Sequence, residues 1–93
     1  MSSSGAMRRA VTVANPNGLH MRPATLFAQA ARGYRSAVTV WNGEKRADGK
    51  SSLDLILLVA LPGAELVLEV DGEDAAEAIG PLADLLGSPG ENI

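Results

Sequence analysis

The apolar and polar positions of the chain alternate between the two-residue period of a strand and the 3.6-residue period of a helix. Strands are predicted at 8–14, 36–41, 44–48 and 64–71. Helices are predicted at 21–32, 51–59 and 73–86. The order βαββαβα predicts an α+β fold, an open-faced two-layer sandwich in which a four-stranded antiparallel sheet carries three helices on one face.

Local signals add detail to this outline. Asn42-Gly43 is a favoured two-residue hairpin sequence, so the second and third strands should be antiparallel neighbours. Pro81 removes a backbone hydrogen bond from the last helix and should kink it or start a new turn there. In the fourth strand, three alternate positions should face the core, namely Leu66, Leu68 and Val70.

The chain of 93 residues has room for one core only. Residues 1–7 are Ser-rich and without periodicity, so we expect a disordered lead, followed by one domain at 8–87 and a short tail at 88–93. The lead lacks the apolar segment of a secretory signal. The longest apolar run, 55–62, is far shorter than the roughly 20 residues that span a bilayer. We therefore expect a cytoplasmic protein without membrane insertion.

Composition excludes several classes of chemistry. Cysteine is absent and histidine occurs once, which rules out a disulfide scaffold, a thiol nucleophile and a multi-histidine or cysteine-ligated metal site within one chain. We expect no metal and no cofactor. The formal net charge of -3 and the aromatic content of 3% argue against nucleic-acid binding, which needs a basic surface.

The single histidine, His20, lies between the turn sequence Asn15-Pro16-Asn17-Gly18 and a helix that has Pro23 in its first turn. Backbone N–H groups at a helix N-terminus attract anions, phosphate in particular. Arg22 can reach the same volume, and an imidazole with a free lone pair is a nucleophile. A lone loop histidine is usually a solvated or capping side chain. Here the joint occurrence of the turn, His20, Arg22 and Pro23 favours a phosphoryl acceptor.

A small acid–base enzyme that uses His20 is a weaker hypothesis. No carboxylate lies near His20 in the sequence, and the chain is too small to enclose an active site.

The segment NGLHMRPA, residues 17–24, resembles the active-site signature of the HPr family, the histidine-containing phosphocarriers of the bacterial phosphoenolpyruvate-dependent sugar phosphotransferase system. The likeness extends over 8–86 and includes the order of elements. It also includes three short segments, Gly33-Tyr34, 49–51 and 63–65.

The resemblance implies a carrier that is transiently phosphorylated and is not itself an enzyme. His20 would accept a phosphoryl group on Nδ1 from phosphorylated enzyme I and pass it to an enzyme II A-type acceptor domain of a sugar permease. Arg22 would stabilise the phosphoryl group. Asn17, Gly18 and Pro23 would shape the turn and fix the helix start.

The resemblance also implies features of the second helix. Ser51 matches the serine that HPr kinase/phosphorylase modifies in many bacteria, which would make that enzyme a further partner; alternatively, Ser51 is only an N-cap. Leu53 and Ile56 match exposed docking residues, with Leu55 and Leu58 facing the core. The alternative is that all four are core residues.

One other function of the same fold stays open. The chain could be a regulatory protein whose phosphorylation state, at His20 and Ser51, is read by other proteins without sugar transport. The sequence shows no sign of oligomerisation, and we expect a monomer.

Overall fold

The computed structural model describes residues 6–89 and confirms the predicted order of elements. The strands are β1 (Ala6–Thr12), β2 (Ala37–Asn42), β3 (Lys45–Asp48) and β4 (Glu65–Asp71). The helices are α1 (Met21–Arg32), α2 (Ser52–Leu57) and α3 (Ala75–Leu86). The strands form one antiparallel sheet in the order β1-β4-β2-β3, so β3 and β1 are its edges.

The core lies between the sheet and the helices. The three alternate residues of β4 predicted to face inward, Leu66, Leu68 and Val70, are fully buried. The apolar stripe of α1 packs above them and contributes Ala24, Phe27, Ala28 and Ala31. Two-residue alternation in β4 and helical spacing in α1 therefore supply the two sides of one aliphatic core.

The boundaries differ from the prediction at both ends of the chain. β1 begins at Ala6, two residues earlier than expected, because Ala6 pairs with Asp71 and Met7 pairs with Val70. Residues 1–5 of the predicted lead and 90–93 of the predicted tail lie outside the described residues. α3 begins at Ala75 and continues through Pro81 without starting a new turn. No helix of residues 6–89 is long and apolar enough to cross a membrane.

The start of α3 is delayed because Asp74 binds the segment that enters β2. Its Oδ2 accepts a hydrogen bond from the Arg35 amide at 2.8 Å, and its Oδ1 accepts from the Ser36 amide at 2.9 Å and from the Ser36 hydroxyl. The bond from the Ser36 hydroxyl, followed by the bond from the Arg35 amide, lowers the pKa of Asp74. A carboxylate thus ties the beginning of α3 to the beginning of β2.

The lowered pKa predicts how stability depends on pH. The folded state favours the ionised carboxylate, so Asp74 contributes stability above its ordinary pKa of 3.8, and this contribution is lost as the pH falls below 3.8 through the folded-state value. We expect Asp74→Asn to be less stable than the original chain at neutral pH, with a difference that shrinks in acid. Urea unfolding across this range measures it.

Asp84→Asn is the control for this prediction, because it removes an exposed carboxylate from the same helix. A difference between the original chain and Asp74→Asn that stays constant from neutral pH to about pH 2.5 would contradict the assignment.

Candidate functional site

The loop between β1 and α1 is held in shape by its own backbone and by one buried asparagine. The carbonyl of Asn15 accepts from the Gly18 amide at 2.9 Å, which closes a turn over residues 15–18. The side-chain Oδ1 of Asn15 accepts from the Asn17 amide at 2.9 Å. The turn therefore brings the chain from the end of β1 to His20 in a fixed path.

Asn15 is a residue that the motif did not single out. It is 5% exposed and holds the turn with both its carbonyl and its side chain, whereas Asn17 is exposed and contributes its backbone amide. An asparagine that precedes proline favours this kind of local side-chain to backbone bond. The pair Asn15-Pro16 is the feature of the sequence from which this role of Asn15 could have been predicted.

The same loop is fastened to the connection between α2 and β4. The Leu19 amide donates to the Ala60 carbonyl at 2.9 Å. Gly18 has a φ of 72°, and a Cβ atom added to it would lie 2.5 Å from that carbonyl oxygen. Only glycine allows both this backbone conformation and this close approach. The predicted structural role of Gly18 is thus a contact between the loop and residue 60.

His20 occupies the N-cap position of α1. Its φ of -91° and ψ of -170° are extended, and its carbonyl accepts the first helical hydrogen bond, from the Ala24 amide at 3.0 Å. Pro23 has no N–H to donate, which leaves the amides of Met21 and Arg22 as the free donors of the first turn. Two backbone donors and the positive end of the helix dipole therefore lie at the helix terminus that His20 caps.

The two ring nitrogens of His20 have different environments. Nε2 is buried and has no hydrogen-bond partner among residues 6–89. Nδ1 is not enclosed in this way, and the His20 side chain makes no capping hydrogen bond. The nitrogen that remains available to an incoming group is therefore Nδ1.

Arg22 is an exposed cation two residues after His20. Its guanidinium takes part in neither of the ion pairs found in the described part of the chain, which join Arg8 to Glu69 and Arg35 to Glu73. The planar fork of donors is therefore available to an anion at the helix end.

Ser51 belongs to a different region of the surface. Its hydroxyl accepts from the Asp54 amide at 3.2 Å, which confirms that Ser51 is the N-cap of α2. The Arg32 side chain, in the last turn of α1, donates to the Lys50 carbonyl at 3.0 Å. Ser51 thus adjoins the C-terminal end of α1 and His20 its N-terminal end, and a helix of 12 residues is about 18 Å long.

The second helix presents apolar side chains to solvent. As expected, Leu55 and Leu58 are buried. Ile56 is only partly exposed because it packs against the core. Five other side chains are each at least 60% exposed and run from α2 towards His20; we call them the apolar surface, and they are Met21, Leu53, Leu57, Val59 and Leu61.

The comparisons with known proteins agree on one family. The model for the PTS HPr component phosphorylation site matches residues 7–88. The phosphocarrier protein HPr of Neisseria meningitidis serogroup A is 38% identical over 80 residues, which cover 86% of this chain and 90% of that protein.

Two solved structures extend the likeness to three dimensions. The crystal structure of HPr-C-His from Thermoanaerobacter tengcongensis has a TM-score of 0.84 at 34% identity, covering 94% of this chain and 99% of that one. Crh of Bacillus subtilis, a catabolite repression protein seen as a domain-swapped dimer, has a TM-score of 0.72 at 35% identity and covers 85% of this chain and 91% of that one.

The contact between Gly18 and residue 60 generates a prediction. Gly18→Ala combines a left-handed backbone with a clash against the Ala60 carbonyl, and we expect it to lower the free energy of unfolding by about 3 kcal/mol. The displaced loop should also slow phosphorylation of the folded protein. Urea unfolding and the rate of phosphorylation measure the two effects.

Gly43→Ala is the matched control, because Gly43 has a φ of 64° but no atom within 4 Å of an added Cβ. It should cost about 1 kcal/mol and leave phosphorylation unchanged. If Gly18→Ala and Gly43→Ala lose the same free energy of unfolding, the close approach of Gly18 to the Ala60 carbonyl is unimportant.

Proposed function

The chain belongs to the HPr family of phosphocarrier proteins of the phosphotransferase system, and we propose that His20 is the residue that carries its phosphoryl group. The observation that supports this most directly is the burial of Nε2, which leaves Nδ1 as the ring nitrogen open to a donor. A phosphocarrier is covalently modified and passes the group on, so the chain is a carrier and not a catalyst.

We propose phosphorylated enzyme I as the donor. The lone pair of Nδ1 attacks the phosphorus atom, a P–N bond forms, and the bond between phosphorus and the donor breaks with its electrons returning to the donor. The imidazole proton stays on Nε2 throughout. A histidine without a carboxylate partner can therefore act as a nucleophile in this step, because the reacting nitrogen has no proton to lose.

The helix end stabilises the phosphorylated product. The amides of Met21 and Arg22 and the Arg22 guanidinium are donors for the phosphoryl oxygens, and the helix dipole favours the negative charge. Transfer onward to an enzyme II A-type acceptor domain is the same exchange in the opposite direction. The proposed pathway is thus phosphoenolpyruvate-dependent sugar uptake.

The apolar surface is the proposed docking site for these partners. It borders His20 through Met21, so a partner that covers it also brings its own phosphoryl-bearing group to Nδ1. Leu53 and Leu57 supply the exposed part of α2, while Ile56 contributes less because it packs against the core. A small apolar contact suits a carrier, since each complex must dissociate quickly.

A second candidate function is regulation by phosphorylation. It is favoured by the likeness to Crh, a catabolite repression protein, and by the partly exposed Ser51. HPr kinase/phosphorylase and ATP would test it: label on the original chain but not on Ser51→Ala supports this function. The Asp54 carboxyl, three residues later, opposes a phosphate on Ser51 by charge repulsion. If HPr kinase/phosphorylase leaves the original chain unlabelled, regulation through Ser51 is excluded.

The monomeric state remains a prediction for this chain, and dimers are described for Crh and for HPr of Thermoanaerobacter tengcongensis. Sedimentation equilibrium measures it.

Phosphorylation of His20 is tested with purified enzyme I from the same genome and labelled phosphoenolpyruvate. His20→Ala should incorporate no label, because it removes the only histidine. Label on the original chain should be lost in acid and retained in base, as expected for a phosphoramidate. Ser51→Ala is the control and should be labelled normally; full labelling of His20→Ala would disprove the carrier function at this residue.

Docking through α2 is tested with Leu53→Ala. Leu53 is 64% exposed, so its truncation should leave stability nearly unchanged but raise the KM of enzyme I for the chain about fivefold. The control for loss of an exposed apolar side chain is Met7→Ala, which lies on the edge strand β1. An unchanged KM for Leu53→Ala would remove Leu53 from the docking site.

A further inference from the structure

An open cavity of about 620 Å³ lies at the end of the β2–β3 hairpin that is away from its turn, beside the start of α2. Its size is within the range of about 300–1,000 Å³ that is usual for small-molecule sites. The residues that line it belong neither to the loop of His20 nor to the apolar surface, so the proposed function leaves the cavity unused. Its charged lining side chains are Arg35, Arg46, Asp48, Lys50 and Asp54.

The two carboxylates of the cavity are held in place by backbone amides. Oδ1 of Asp48 accepts a hydrogen bond from the Lys50 amide at 2.9 Å. Oδ2 of Asp54 accepts from the Asp48 amide at 3.1 Å, which ties α2 to the end of β3. The second oxygen of each carboxylate makes no hydrogen bond to residues 6–89. Each carboxylate is therefore fixed in position and still has an oxygen that can accept a hydrogen bond from a ligand.

The three cations of the cavity keep donors free for an anion. The Arg46 guanidinium lies over the Trp41 ring, 5.9 Å from its centroid, and takes part in no ion pair among residues 6–89. The Lys50 ammonium donates to one backbone carbonyl at 2.8 Å, which leaves its other N–H groups and its charge available. Arg35 pairs with Glu73 at 2.7 Å, but both side chains are exposed and solvent screens the pair.

The balance of these charges selects the kind of ligand. Three cations and two carboxylates give the lining a formal charge of +1, on a chain whose formal net charge is -3. Guanidinium and ammonium groups bind phosphate oxygens well. The carboxylates repel a second anionic group but accept hydrogen bonds from hydroxyl groups. A ligand that satisfies both halves of the cavity therefore carries one phosphate and several hydroxyl groups.

We propose that this cavity is a second site, which binds a small phosphorylated sugar or polyol without covalent change. The phosphate is bound by Arg46 and Lys50, and the hydroxyl groups donate to the free oxygens of Asp48 and Asp54. The site is independent of the phosphoryl group proposed for His20. Since Lys50 directly precedes the N-cap of α2, the ligand lies beside the start of that helix.

Binding is tested on the full chain by ¹H–¹⁵N NMR at constant ionic strength, with glucose 6-phosphate, glucose and inorganic phosphate as probes. Glucose 6-phosphate should shift the amides of Asp48 and Lys50 saturably, with a Kd of about 1 mM. Glucose should shift neither amide, because it has no anionic group. Inorganic phosphate should bind about fivefold more weakly, because it lacks the hydroxyl groups that the carboxylates accept.

Two variants test the cations. Arg46→Gln and Lys50→Gln should each raise the Kd for glucose 6-phosphate about fivefold or more. The matched control is Arg9→Gln, which removes an exposed cation from the opposite edge strand and should leave the Kd unchanged. The same spectra show that each variant is folded. A Kd within twofold of the original for both Arg46→Gln and Lys50→Gln would overturn the proposal, as would shifts confined to α1 or equal binding of inorganic phosphate.

Discussion

One backbone hydrogen bond, from the Leu19 amide to the Ala60 carbonyl, connects the two parts of the molecule that the proposed function needs. The donor immediately precedes His20, and the acceptor follows the end of α2 after two residues. The bond therefore fixes the phosphoryl acceptor relative to the apolar surface. Gly18 is required beside it because any side chain would collide with the acceptor carbonyl.

This connection places the proposed phosphoryl acceptor beside the surface proposed to recognise its protein partners. The anion-binding part of the proposed site consists of backbone amides and one arginine, which would recognise a phosphoryl group but no particular protein. In the proposed function, recognition of a protein partner then depends on the apolar surface.

Local patterns in the sequence predicted most of the fold and the position of His20 at the start of α1. The alternation in β4 and the apolar spacing in α1 predicted the two sides of the core. The turn and the helix start on either side of the single histidine drew attention to His20. Long-range bonds could not be predicted this way. The early start of β1 depends on pairing with Asp71 and Val70, and the late start of α3 depends on Asp74 binding the entry to β2.

The proposed function depends on which ring nitrogen of His20 forms the bond to phosphorus. Because the chain has one histidine, ¹⁵N labelling of histidine gives a single pair of ring nitrogens. After phosphorylation by enzyme I and phosphoenolpyruvate, NMR should show a one-bond coupling between ³¹P and Nδ1, with the proton on Nε2. Coupling of ³¹P to Nε2, the nitrogen that is buried here, would contradict it.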